Sequence, residues 1–224
     1  MSPYWITVEG IEGVGKTYLA RRLAQRLGQR CVLVEELTDL AGGNLPGRVI
    51  AALSSAGDAF LRTGHPLTET FALLALKVRE YEHVQAAPGL DTGIVLEDRG
   101  IDTVALDHAA ILAGEASLEQ THALAQRIYA AAARWRPLPD LTILLVDDLD
   151  ACLDRFERRL GSALSAPDRA LVGRVDQLYA RQVAREPKRL LPVDRAGRTE
   201  GDVLDELYQV CVSRSCAGEQ RCVM

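Results

Sequence analysis

Two hydrophobic rhythms alternate along this chain. Short, almost wholly apolar runs occur at Trp5–Val8, Cys31–Val34, Ile94–Leu96, Thr142–Val146 and Leu190–Val193. Runs of that kind suit strands covered on both faces. Between them, apolar residues recur at helical spacing over Leu67–Val84, Thr121–Trp135, Asp150–Leu160, Ala170–Ala184 and Val203–Val212. Strands joined by crossover helices predict a doubly wound α/β fold around a five-stranded parallel sheet flanked by helices. One domain over residues 1–212 accounts for the pattern. Gly161–Asp168, rich in Ser, Ala, Pro and Gly, reads as a flexible connection between two helices. The polar stretch from Ser213 to Met224 reads as a frayed tail.

The first strand runs straight into Gly10-Ile11-Glu12-Gly13-Val14-Gly15-Lys16-Thr17, and an amphipathic helix follows over Thr17–Leu27. This is the G-x-x-x-x-G-K-[ST] pattern of a phosphate-binding loop in its strand–turn–helix setting. Gly10, Gly13 and Gly15 let backbone N–H groups point inward at phosphate oxygens, and the helix N-terminus adds partial positive charge. Lys16 is placed to reach the β- and γ-phosphates of ATP, and the Thr17 hydroxyl to ligate Mg²⁺. The loop therefore defines a P-loop NTPase fold.

Charge and cysteines narrow the reading. With 26 basic and 31 acidic residues the net charge is −5, which argues against a general surface for nucleic-acid polymers. Basic residues bunch between Arg155 and Arg198, as for a small anionic ligand. No apolar run is long enough to cross a bilayer, and no signal peptide is expected ahead of the first strand. Cys31, Cys152, Cys211, Cys216 and Cys222 show no metal-ligand spacing, and a reducing, cytoplasmic compartment is expected.

Three further clusters carry chemistry. Glu97-Asp98-Arg99-Gly100 closes the third strand, at the sheet edge where ligands of parallel sheets gather. Asp98 is a candidate Mg²⁺ ligand, directly or through water, and Arg99 a candidate clamp between two phosphoryl groups. Arg155, Arg158 and Arg159, with Asp168-Arg169 across the flexible connection, form a short arginine-bearing lid over about 155–170 that delivers charge to a transferring phosphoryl group. Glu9 and Glu12 place carboxylates beside the phosphates, where a sugar hydroxyl or an arginine is a natural partner. The scattered His65, His83, His108 and His122 form no nucleophile–base arrangement.

Taken together, these residues resemble the thymidylate kinase family of nucleoside monophosphate kinases over nearly the whole chain. Ile6-Thr7-Val8-Glu9-Gly10-Ile11-Glu12-Gly13 resembles that family's opening, in the variant with an acid inside the loop. That variant carries its catalytic arginine in the lid, which implies Arg155, Arg158 or Arg159. Asp98-Arg99 resembles the family's Asp-Arg pair, and Pro139-Asp140-Leu141-Thr142 the lead into its fourth strand. Pro192-Val193-Asp194-Arg195-Ala196 falls where the adenine-flanking loop lies, which implies that Arg195 meets the cofactor. The base-reading Phe and Arg of the family are matched here by Leu73 and Lys77, and its base-facing serine by Thr103. Asp107 and His108 replace a further aromatic and a glutamine. Gly42-Gly43 is kept, but Asp39-Leu40-Ala41 stands before it in place of Arg-Glu-Pro. The resemblance implies phosphoryl transfer from Mg·ATP to dTMP or a related pyrimidine nucleotide by a homodimer. A nucleoside kinase with Glu35 or Glu36 as base, and a nucleotide-binding module without catalysis, are the alternatives.

Overall fold

A computed structural model describes residues 3–39, 43–54, 57–87 and 93–221. Leu40, Ala41, Gly42 and Cys222 lie outside the described residues, as does the side chain of Cys216. The chain falls into two compact units, each built from separated stretches of sequence.

The first unit (residues 1–34, 88–99 and 139–224) holds the sheet. Its strands are β1 (Tyr4–Glu9), β2 (Cys31–Val34), β3 (Ile94–Asp98), β4 (Leu141–Val146) and β5 (Leu190–Asp194). All pair in parallel, as the apolar runs predict, and their order is β2-β3-β1-β4-β5. Ile6, Val8, Val95, Leu96, Ile143 and Leu190 are wholly buried, because a parallel sheet is covered on both faces. Its helices are α1 (Lys16–Leu27), α6 (Leu149–Leu160), α7 (Ala166–Arg185) and α8 (Glu200–Arg221). Helix α8 continues past Val212 to Arg221, so the stretch from Ser213 that reads as a frayed tail is helical as far as Arg221. It packs on α1 and β1: Leu207 and Cys211 are fully buried, Arg26 stacks over Tyr208 at 4.7 Å and pairs with Asp205, and Tyr18 donates to Glu200 at 2.8 Å.

Register sets the site. Val8 lies opposite Asp98, and the Arg99 N–H donates to the Val8 carbonyl at 3.2 Å. The ends of β1 and β3 therefore present the phosphate loop and the Asp-Arg pair side by side. Trp5 fills the core beneath, its indole N–H donating to the buried Glu97 carboxylate at 2.7 Å.

The second unit (residues 35–87 and 100–138) is helical: α2 (Leu45–Leu53), α3 (Pro66–Ala86), α4 (Ile101–Ala113) and α5 (Leu118–Ala132). Helix α4 packs against α3 and α5. Asn44 caps α2 by accepting from the Gly47 N–H at 2.9 Å, and a Ser117–Gln120 capping box starts α5. Two buried polar side chains find partners within the unit. Tyr129 donates to Asp102 at 2.7 Å, and Arg136 donates to the Lys77 carbonyl at 3.2 Å.

Candidate active site

The phosphate loop is shaped by steric exclusion as much as by flexibility. Gly13 has φ +77° and a Cβ there would collide with the Cys152 carbonyl oxygen. Gly15, the N-cap of α1 at φ +94°, would bring a Cβ within 2.5 Å of the Arg195 guanidinium. Only glycine combines a left-handed backbone with so close an approach. Lys16 is 3% exposed, and its ammonium donates to the carbonyls of Gly10 (2.7 Å) and Ile11 (2.8 Å). A strong donor thus sits inside the loop's own curve, within a side chain's swing of an incoming anion.

A cavity of about 460 Å³ opens at this loop. Glu12, Gly13, Gly15, Lys16 and Thr17 line it together with Arg99 and Arg159, and it extends along α1 over Tyr18, Arg21, Arg22 and Gln25. Glu12 organises its mouth. One carboxylate oxygen meets Arg99 Nη2 at 2.6 Å and the other Arg159 Nη2 at 2.9 Å. Burial alone would raise the Glu12 pKa, but the charges of Arg99, Lys16 and Arg159 outweigh it and hold the carboxyl at about 2. Arg99 reaches this position with φ +60°, a left-handed conformation rare for a side chain of its size. Such a strained residue, bound by its N–H to β1 and by its guanidinium to Glu12, is the kind found at functional sites.

The other sequence candidates divide. Glu9 is buried and accepts from the Tyr179 hydroxyl at 3.1 Å. Asp98 is buried at the end of β3, beside β1. Thr17 stands at the start of α1 and lines the cavity; its hydroxyl and the Asp98 carboxylate are oxygen donors of the hard type that Mg²⁺ takes, one or two protein oxygens with water completing the shell. Among the described residues no group of three or more His, Cys, Asp or Glu side chains is arranged to hold a metal ion. The lid arginines take separate directions. Arg159 lines the cavity, while Arg158 is exposed and bonds the Asp154 carbonyl. Arg169 forms a forked pair with Glu157 at 2.8 Å, and Glu157 also accepts from the Leu164 N–H at 2.8 Å. The connection between α6 and α7 is thereby tied at both sides.

Arg155 and Arg195 hold the loop's carbonyls and are not among the cavity-lining residues. Arg155 Nε donates to the Gly13 carbonyl at 2.8 Å, and Arg195 donates to the Val14 carbonyl. Both guanidiniums also meet Asp147, at 2.6 and 3.4 Å. Asp147 was not singled out by the sequence, since the pair Asp147-Asp148 after a strand carries no motif. Tyr18, Arg21, Arg22 and Gln25 were missed too. Their i, i+3/i+4, i+7 spacing on the helix that follows the loop was the available signal.

Leu73, Lys77 and Thr103 belong to the second unit. Leu73 is buried on α3. Lys77, 2% exposed, pairs with Glu80 at 2.9 Å, and Thr103 is half-buried in the first turn of α4. His108, on α4, meets Thr70 Oγ1 at 3.1 Å. Burial, opposed by Glu69, pushes its pKa down to about 4.

Comparison with known proteins follows this geometry. No family model matches the chain. The thymidylate kinase of Cereibacter sphaeroides is 32% identical over 207 residues, covering 88% of this chain and 89% of that protein. That of Thermomicrobium roseum is 34% identical over 202 residues, covering 85% and 86%. Among solved structures, thymidylate kinase from Ehrlichia chaffeensis superposes with a TM-score of 0.65 at 19% identity, over 94% of this chain and 98% of that one. The Candida albicans enzyme gives 0.64 at 16% identity, over 95% and 92%. These two share the fold, the P-loop NTPase arrangement of a five-stranded parallel sheet flanked by helices. The sequence identity, sustained over most of both chains, carries the kinship: this chain belongs to the thymidylate kinase family.

Proposed function

We propose that this chain transfers the γ-phosphoryl group of ATP to a pyrimidine nucleoside monophosphate, dTMP foremost, giving the diphosphate and ADP. The observation that carries the reading is the cavity in which a glycine loop and Lys16 face Arg99 and Arg159 across Glu12. A phosphate monoester has a second pKa of about 6, so the acceptor oxygen is already anionic at neutral pH. No general base is required, and catalysis reduces to in-line placement and charge neutralisation.

The loop amides from Gly10 to Thr17 hold the donor phosphates. Lys16 exchanges its bonds to the Gly10 and Ile11 carbonyls for bonds to phosphate oxygens. Arg99 binds the acceptor phosphate, and Arg159 meets the charge that develops on the transferring group. Mg²⁺, held by Thr17 with Asp98 directly or through water, would supply further neutralisation of the triphosphate. Glu12 keeps the two arginines apart and extended, and offers its carboxylate to a sugar hydroxyl. Leu73, Lys77 and Thr103 are the residues assigned to the acceptor's base. Lys77 brings a compact ammonium already engaged with Glu80, in place of a guanidinium fork.

A homodimer in the reducing interior of the cell completes the reading. Leu67 and Phe71, exposed one turn apart on α3, support the first, and the free thiols of Cys31, Cys152 and Cys211 the second. No helix among the described residues is long and apolar enough to cross a membrane. The decisive experiment is ADP release with Mg·ATP against a panel of nucleosides and monophosphates. Turnover with dTMP and none with thymidine is expected. Turnover with bare nucleosides alone, or with no acceptor at all, refutes the proposal.

A further inference from the structure

We infer that Asp147 is a positioning residue for phosphoryl transfer, bracing the phosphate loop from outside the cavity through two arginines. The inference rests on the proposed reading of the loop as the ATP site. A loop that turns its amides toward phosphate turns carbonyls the other way, and buried carbonyls need donors. Lys16 serves those of Gly10 and Ile11. Those of Gly13 and Val14 are served by Arg155 and Arg195. These arginines come from different elements: Arg155 stands in the second turn of α6, Arg195 just after β5. One carboxylate unites them. Asp147, the first residue beyond β4 and 8% exposed, accepts from Arg155 Nη2 at 2.6 Å and faces Arg195 Nε at 3.4 Å with the same oxygen. Its other oxygen accepts the Asp148 N–H at 2.9 Å, which fixes its own direction.

The arrangement has a clear electrostatic logic. Two part-buried guanidiniums close to Lys16 and to a helix N-terminus would repel one another, and would compete with the loop for anions. The Asp147 carboxylate cancels that repulsion and aims each fork at a carbonyl. Burial lowers the Arg155 pKa, but Asp147 and the neighbouring Cys152 together outweigh it, so the guanidinium stays charged where it is held. The cavity-facing arginines, Arg99 and Arg159, are organised separately by Glu12. One acid therefore governs the arginines that meet ligand, and the other governs those that hold the loop.

The test compares Asp147→Ala, Asp147→Asn and Asp147→Glu in the full chain. Amide hydrogen exchange across Gly13–Lys16, measured without nucleotide, should quicken at least tenfold in the Ala and Asn variants and return toward wild type in the Glu variant, which keeps the charge. In steady state the KM for Mg·ATP should rise about tenfold in the Ala and Asn variants, while the KM for the acceptor stays within twofold. Asp147→Ala combined with Arg155→Ala should be no worse than the worse single variant, because both break one unit. Unchanged exchange overturns the inference whatever the enzyme phosphorylates. So does faster exchange with an unchanged KM for ATP, or a fall in active fraction with both KM values intact, which a merely structural residue would produce. If the wild-type protein turns over no acceptor, the functional reading falls and the exchange result alone decides for or against the brace.

Discussion

Glu12→Gln is the most informative single change to the cavity, because protonated glutamate and glutamine are nearly the same shape. The change removes charge and little else. In the folded protein the Glu12 carboxyl titrates at about 2 against an ordinary value of 4.5, and the side chain is only 13% exposed. At 1.36 kcal/mol per pH unit, that shift corresponds to roughly 3 kcal/mol favouring the charged, folded form. The sign follows from proton counting. Between pH 4.5 and 2 the unfolded chain binds the proton and the folded one does not, so this contribution is whole above pH 4.5 and drains away as pH falls toward 2. Urea unfolding of wild type and Glu12→Gln should therefore differ by up to about 3 kcal/mol at pH 7. The gap should narrow by about 1.4 kcal/mol per unit below pH 4.5. The other depressed carboxyls, Asp58, Glu69 and Glu157, titrate in both proteins and cancel in the difference. A gap that stays constant from pH 7 to 3, or no gap at pH 7, would refute the view that Arg99 and Arg159 hold Glu12 ionised.

Lys16→Ala should lower kcat by at least about 10²-fold, the scale of losing one preorganised charge-stabilising group, with the fold retained by circular dichroism. Arg99→Ala should raise the KM for the acceptor more than that for ATP, and equal losses would contradict its assignment to the acceptor. Arg99→Gly should be as inactive but about 1 kcal/mol more stable than the Ala variant by chemical denaturation, since glycine relieves the φ of +60°. Lys77→Met leaves the Glu80 carboxylate buried without its ammonium and should cost about 3–5 kcal/mol, read from the urea midpoint. For His108, with a folded pKa of about 4 against 6.5, the unfolded chain takes the proton first. Stability should fall on acidification from pH 6.5 to 4, and His108→Asn should remove that part of the slope.

The strand runs and the glycine loop were legible because their signals are local: a continuous apolar stretch, or fixed residues at fixed spacing. Helices α2 and α4 were not read. Asn44-Leu45-Pro46-Gly47 looks like a turn until one sees Asn44 capping the helix and Pro46 in its first turn. Helix α4 packs against α3 and α5 and is buried well beyond one stripe, at Asp102, Leu106 and Ala110 as well as Ile101, Val104, Ala105 and Ala109, so no polar face sets off its apolar one. The helical run past Val212 was not read either, because the sequence from Ser213 on is polar and carries no apolar stripe. Within the site, the sequence supplied the arginines but not their partners. Arg155 and Arg159 stand four residues apart on one helix, yet one turns to the Gly13 carbonyl and the other to Glu12. That choice depends on where β4 ends and on Asp147, which meets Arg195 from 48 positions away. No window along the chain holds that information.

The pairing of α1 with α8 constrains how the protein comes into being. Some 170 residues separate the helix that carries Lys16 from the one that covers it. At ribosomal speeds of about 5–20 residues per second, the N-terminal segment waits on the order of 10–40 s for its cover. During that interval Leu19, Leu23 and Leu27 lack part of their eventual shelter, so newly made chains are most vulnerable to chaperone capture or clumping before α8 emerges. Shortening α8 should accordingly depress the yield of nascent protein more than it slows the finished enzyme.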